Sequence, residues 1–132
     1  MELIGHAVVT GSGERNYVQR IHAGKHELSA DEMPSHGGAD AGPTPFSLVL
    51  AGLGACTSIT LRMYAQRKGW ELGTVNVHLK LLREDKAVHI ERKIAFDTAL
   101  TDEQRGRLAE IAEKTPVTLL VKQGTPIQTS LE

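Results

Sequence analysis

The stretch Phe46–Cys56, FSLVLAGLGAC, limits the folds open to this chain more than any other. It is apolar nearly all round, which is the pattern of a helix buried on most sides. Its start is well marked. Thr44 is a good N-cap, and Pro45 suits the first helical position, where a missing N–H is no loss. Ala51, Gly52, Gly54 and Ala55 keep the helix thin, so another backbone can approach it closely. Each interior glycine costs about 1 kcal/mol against alanine, and close packing is the simplest offset. The helix is expected to run on through TSITLRMYAQRK and to stop at Gly69, with Arg67 and Lys68 favourably placed for its dipole.

Around that helix the periodicity predicts strands and one further helix. LIGHAVVTG and NYVQRIHAG flank the turn GSGER, and KHELSADE reads as a third strand of the same meander. Pro34–Thr44 is a loop, rich in glycine and proline. TVNVHLKLL alternates Val75, Val77, Leu79 and Leu81 with polar residues, REDK turns the chain, and AVHIERKIAFD alternates Val88, Ile90, Ile94 and Phe96. TDEQ, Thr101–Gln104, is a capping-box pattern, after which Leu108, Ile111, Ala112 and Thr115 recur at helical spacing. Pro116 ends or restarts that helix; VTLLVKQG is a short helix or turn, and PIQTSLE a closing strand. The order is β-meander, long buried central helix, β-hairpin, second helix and closing strand. This is an α+β plan with mainly antiparallel strands, expected as a single domain over residues 1–132.

Composition narrows the functions. Only 4% of residues are aromatic, so Leu, Ile, Val and Ala must fill the core, and a core shared between two chains would help. A formal net charge of −1 gives no basic excess for nucleic acid or for an anionic membrane. The strongly apolar run Phe46–Cys56 is about half of the ~20 residues a membrane span needs. MELIGHAVVTGSGER has no charged leader followed by an apolar stretch, so a soluble cytoplasmic protein is expected.

Cys56 is the only cysteine, so no internal disulfide can form. A free cysteine on an apolar helix is either a small hydrophobe that fits or a thiol that reacts. Arg15, in VVTGSGER, reads as a solvated turn residue. Arg92 is stranger, because it shares its strand face with Val88, Ile90, Ile94 and Phe96. It either faces an anion or a thiol, or it snorkels to the sheet edge or pairs with a carboxylate. The latter is preferred, and Arg92 is left out of the candidate site. The six histidines show no tight ligand spacing, so neither a metal nor another cofactor is expected. GSGE lacks the glycine pattern of a phosphate loop. Met63 and Tyr64 read as packing residues.

Three segments carry a resemblance. GPTPFSLVLAGLGACTSITLRMYAQRKGW, LTDEQRGRLAEIAEKTPV and IQTSL resemble the OsmC/Ohr family of osmotically inducible and organic-hydroperoxide-resistance proteins, and the likeness spans nearly the whole chain. HELSADEMPSHGGADAGPTP looks like a subgroup of small OsmC-like proteins. The resemblance implies a cysteine that attacks the peroxide O–O bond, a second cysteine that resolves the sulfenic acid, and an arginine and a glutamate that hold the thiolate. Cys56 matches the attacking cysteine and Arg15 the arginine. Two positions depart from the pattern. The resolving cysteine falls on Thr115, in EKTPVT, and the glutamate on Phe46, in TPFS, beside Ser47. The two-cysteine cycle therefore cannot run inside this chain, and an external small-molecule thiol or dithiol must reduce an oxidised Cys56.

Ten residues separate Phe46 from Cys56, about 15 Å along a straight helix. Either the helix bends near Gly52 and Gly54, or a second chain completes the pocket. The family's intertwined homodimer, with sites at the subunit interface, agrees with the second option. Two functions stay open. One is a one-cysteine peroxidase for hydrophobic hydroperoxides, with Arg15 favouring the thiolate. The other is a homodimer of the same fold that has lost that chemistry and binds a hydrophobic small molecule or electrophile in the interface pocket. A persulfide-carrying role for Cys56 is a third.

Overall fold

The computed structural model describes all 132 residues and divides into two compact units, Met1–Val49 and Leu50–Glu132. In the first unit β1 (Ala7–Thr10), β2 (Gln19–Ala23) and β3 (His26–Ala30) form an antiparallel meander in chain order. Val9 faces Ile21 across one ladder, and Ile21 faces Leu28 across the next. The three expected strands are thus present, shorter than the segments that suggested them. A single 3-10 turn, Pro34–His36, interrupts the following loop.

That loop is organised by a residue the sequence reading passed over. Asp31 is buried, and its carboxylate accepts N–H bonds from Glu32 (2.7 Å), Ala39 (3.0 Å) and Ala41 (3.1 Å). The Ala41 N–H is the largest influence holding this carboxyl below its ordinary range, followed by that of Glu32. Burial opposes them, and the Ala39 N–H and the Arg15 charge add to the depression. A short acid in an extended segment before a glycine-rich loop supplies the acceptors that the loop's N–H groups lack among themselves.

Helix α1 runs from Pro45 to Lys68, 24 residues. Its start is as expected: the Thr44 hydroxyl accepts the Ser47 N–H at 3.2 Å. Its end is the expected glycine stop. Gly69 takes φ +73°, the Trp70 N–H reaches back to the Ala65 carbonyl (2.8 Å), and the Gly69 N–H to Gln66 (3.2 Å). That pair of bonds is a Schellman motif. Burial of α1 differs from expectation. Only one stripe, Leu53, Gly54, Thr57, Leu61 and Ala65, is covered, while Phe46, Val49, Ile59 and Met63 are each more than half exposed. Within one chain the helix has a partner on a single side. By length and composition alone α1 is apolar enough to cross a membrane, with a mean hydropathy of 1.5.

In the second unit β4 (Val75–Glu84) and β5 (Ala87–Phe96) form a ten-residue antiparallel hairpin. Its turn is Asp85–Lys86, and Asp85 adopts φ +56°, a left-handed conformation that a short acidic side chain tolerates. Helix α2 (Asp102–Ala112) opens with the full capping box of Thr101 and Gln104. Helix α3 (Pro116–Gln123) follows after a short turn, because a proline disfavours helical backbone at the residue before it. Leu61 and Ala65 of α1 meet Leu72, Leu108 and Ala112 in the core, with Val75, Ile94 and Phe96 packed against them. Gly54 is where α1 needs its thinness: a Cβ there would sit 2.8 Å from the Leu79 side chain. The close neighbour is thus a β4 side chain rather than a backbone, and nothing lies within 4 Å of the same position on Gly52.

The expected closing strand is not formed. Residues 125–132 carry no strand, and Ile127 and Leu131 are exposed. The segment joins neither the β1–β3 meander nor the β4–β5 hairpin.

Candidate functional site

Cys56 is half-buried on α1. Its sulfur receives the Val117 N–H at 3.5 Å and lies 3.8 Å from the Thr60 hydroxyl. The first contact follows from helix geometry. Val117 is the second residue of α3, and the opening N–H groups of a helix have no carbonyl of their own to bond. Here the thiol sulfur takes the acceptor's place. A thiolate accepts such a bond more strongly than a neutral thiol, and helix N-termini are a recurrent setting for reactive cysteines.

Thr115 stands at the N-cap of α3 and is fully buried. Its hydroxyl accepts the Thr118 N–H at 3.1 Å and lies 2.6 Å from the Thr118 hydroxyl. The helical spacing Leu108–Thr115 suggested one continuous helix. Instead α2 closes at Ala112, and Thr115 begins the next one.

The feature that sequence reasoning misjudged is Arg92. Its side chain is only 12% exposed, and it makes four hydrogen bonds. Nη1 donates to the Thr57 hydroxyl (3.0 Å) and the Thr118 hydroxyl (2.8 Å); Nη2 donates to the Ala112 carbonyl (2.9 Å) and to Glu113 (3.1 Å). The expected carboxylate partner is therefore real. It is one contact of four, however, and the guanidinium turns inward rather than to the sheet edge. Glu113 is bonded on its other oxygen by Lys122 at 2.6 Å. That ammonium is the main cause of its lowered carboxyl pKa; partial burial opposes the shift, and Arg92 adds to it.

Only one arrangement of hydrogens satisfies this cluster. Arginine can only donate, so Thr57 accepts from it and gives its own proton to the Leu53 carbonyl at 2.7 Å. Thr118 likewise accepts from Arg92 and donates to the Ala112 carbonyl at 3.2 Å. The Thr115 hydroxyl then donates to Thr118. No buried side-chain nitrogen or oxygen is left without a partner. Thr57 and Thr118 carried no sequence signal of their own, whereas Arg92 did: a charge on an apolar strand face.

Cys56 and Thr115 are thus gathered at one place in the second unit. Arg15 and Phe46 belong to the first. Arg15 is exposed on the turn after β1, where the Val18 N–H bonds its carbonyl at 3.1 Å, and its charge bears on Asp31. It lines an open polar hollow of about 450 Å³ with Thr10, Ser12, Glu14, Gln19 and Arg20. Phe46 is 64% exposed on the first turn of α1, and Ser47 accepts a hydrogen bond from the Thr44 hydroxyl at 3.0 Å. No three His, Cys, Asp or Glu side chains converge as metal ligands would. Tyr64 packs edge-on to Trp70 and accepts a hydrogen bond from Arg107, whereas Met63 points outward.

The sequence matches the model of the OsmC-like protein family over residues 37–130. No curated protein matches it. Among solved structures it is similar to an OsmC-like protein from Mycoplasma pneumoniae, at 14% identity and TM-score 0.71, covering 94% of this chain and 90% of that one. It is also similar to an organic hydroperoxide resistance protein from Elizabethkingia anophelis with bound thiocyanate, at 21% identity and TM-score 0.68, covering 94% and 91%. A third is an organic hydroperoxide resistance protein OsmC, a predicted redox protein and regulator of sulfide bond formation, from Legionella pneumophila. It is 18% identical, with TM-score 0.66, covering 91% and 90%.

Proposed function

The chain belongs to the OsmC-like protein family, and from that premise we propose that it reduces organic hydroperoxides through Cys56, with an external thiol as reductant. The match spans the boundary between the two units, which supports reading residues 1–132 as one domain. The observation that carries the proposal is the Val117 N–H on the Cys56 sulfur, at the start of a helix. It is the kind of donor that serves a thiolate nucleophile.

The thiolate attacks one peroxide oxygen, the O–O bond breaks, and the alcohol leaves after taking a proton. Cys56 is left as a sulfenic acid. One external thiol condenses with it, releasing water and forming a mixed disulfide. A second thiol attacks the outer sulfur of that disulfide, restores Cys56 and leaves joined to the first thiol as a disulfide. Thr115 has no sulfur for the internal route, so the reductant comes from outside, which suits a reducing cytoplasm. Arg15 stands at the family's arginine position, and Arg15→Ala tests whether it serves the thiolate.

The uncovered face of α1 supports a second copy of this chain as partner, because Val49, Ile59 and Met63 would otherwise stay in water. The same face supports the rival reading, an interface pocket for an apolar ligand, with Phe46 in place of the family's glutamate. One experiment decides between them. Purified protein is mixed with cumene hydroperoxide and dithiothreitol, turnover is followed, and Cys56 is examined by mass spectrometry. Turnover that is abolished in Cys56→Ser is expected. An unmodified Cys56 and no turnover in millimolar peroxide would end the peroxidase proposal and leave the binding one.

A further inference from the structure

Arg92 bonds the residue next to each partner of the sulfur contact. Thr57 follows Cys56 on α1, Thr118 follows Val117 on α3, and the same nitrogen, Nη1, donates to both hydroxyls, at 3.0 and 2.8 Å. Nη2 binds the Ala112 carbonyl and Glu113 at the end of α2, which fixes where α3 can begin. Four acceptors from three helices therefore converge on one planar fork carried by β5. A lysine cannot reproduce this, because its single ammonium has three donors and no rigid plane. The acceptors Thr57 and Thr118 are 0% and 4% exposed, so water cannot substitute for a lost donor without a rearrangement.

We propose that Arg92 is a positioning residue that sets the reactivity of Cys56, holding α1 and the start of α3 at the separation where the Val117 N–H meets the sulfur. The inference deepens the thiol reading above, and its test does not require hydroperoxide turnover. Alkylation by iodoacetamide reads the thiol whether or not the protein is a peroxidase. Withdrawing the Val117 N–H leaves the sulfur without the donor that favours its nucleophilic form, and loss of one such bond is read as a several-fold change in alkylation rate. Alkylation of Arg92→Met at pH 7 should then slow by about threefold, with Arg92→Lys giving little rescue. Arg83→Met, on the exposed part of β4, should match the wild type.

A second readout is specific to the contact. The Val117 amide resonance should move in Arg92→Met in the direction it moves in Cys56→Ala, and stay in place in Arg83→Met. Should Arg92→Met fail to fold, Thr57→Val carries the test. It removes one of the guanidinium's acceptors beside Cys56 and leaves the Thr115 cap intact, and the same slowing and the same amide shift are expected. A folded Arg92→Met or Thr57→Val with wild-type alkylation and an unmoved Val117 resonance would overturn the proposal, reducing Arg92 to a stabilising residue.

Discussion

Replacing Thr115 by valine tests how much the buried cap of α3 contributes to stability. Valine keeps the shape of threonine and deletes the hydroxyl. That oxygen accepts the Thr118 N–H and lies against the Thr118 hydroxyl, both within a fully buried setting. Loss of an N-cap costs about 1 kcal/mol. A buried donor left unpaired adds a further penalty of about 1 kcal/mol, since water cannot reach it, so about 2 kcal/mol is expected altogether. An unfolding entropy of about 2.1 cal/mol/K per residue puts the shift in melting temperature near 7 °C for a chain of this length. Thr115→Ser keeps the oxygen, loses one methyl, and should melt within about 3 °C of the wild type. Thermal unfolding followed by circular dichroism at one fixed protein concentration measures both. Valine melting within about 2 °C of the wild type, or serine falling below valine, would refute the capping argument.

Three further outcomes are expected. Asp31→Asn should alter the acid limb of stability. The folded Asp31 carboxyl titrates below its ordinary value of 3.8, so its stabilisation is complete above that value and is lost as pH falls through the folded one. Urea midpoints of wild type and Asp31→Asn should therefore converge below about pH 4, and a gap constant from pH 7 to 3 would contradict this. Glu113→Gln should cost less than about 1 kcal/mol, and less still in high salt, because Glu113 is 59% exposed although it pairs with both Lys122 and Arg92; chemical denaturation with and without added salt measures it. The proposed dimer through α1 predicts that Gly52→Leu weakens self-association in sedimentation. In one chain nothing lies near a Cβ at Gly52, so an undisturbed dimer would remove α1 from the interface.

Local signals were read well where the chain states its own boundaries. Thr44–Pro45, Gly69 and Thr101–Gln104 mark helix ends through bonds made within a few residues, and each is found as expected. The alternating β4–β5 hairpin was legible for the same reason. Two elements depend on partners rather than on local pattern. A run apolar on all sides says that a helix wants cover, but not which chain supplies it, and α1 has one covered stripe. PIQTSLE has the composition of a strand, yet it pairs with neither sheet of this chain. In the site, Cys56 was visible as the sole thiol. Its acceptor role depends on Val117, 61 residues away. Arg92 announced itself as a misplaced charge, but its partners lie 20 to 35 residues off in sequence, a distance no local pattern spans. Asp31 carried no signal of its own within KHELSADE, because the N–H groups it accepts come mostly from beyond the next turn.

The ordered threonines around the guanidinium have a chemical consequence. Each hydroxyl proton there already points at an oxygen, and the arginine holds its own protons throughout the working pH range. The knot can orient, but it has nothing to lend. Under the proposed peroxidase chemistry, the alkoxide leaving Cys56 must draw its hydrogen from solvent or from another ionisable group. Deuterated solvent should therefore report on that outside donor, and swapping threonine for serine within the knot should leave the isotope effect unchanged.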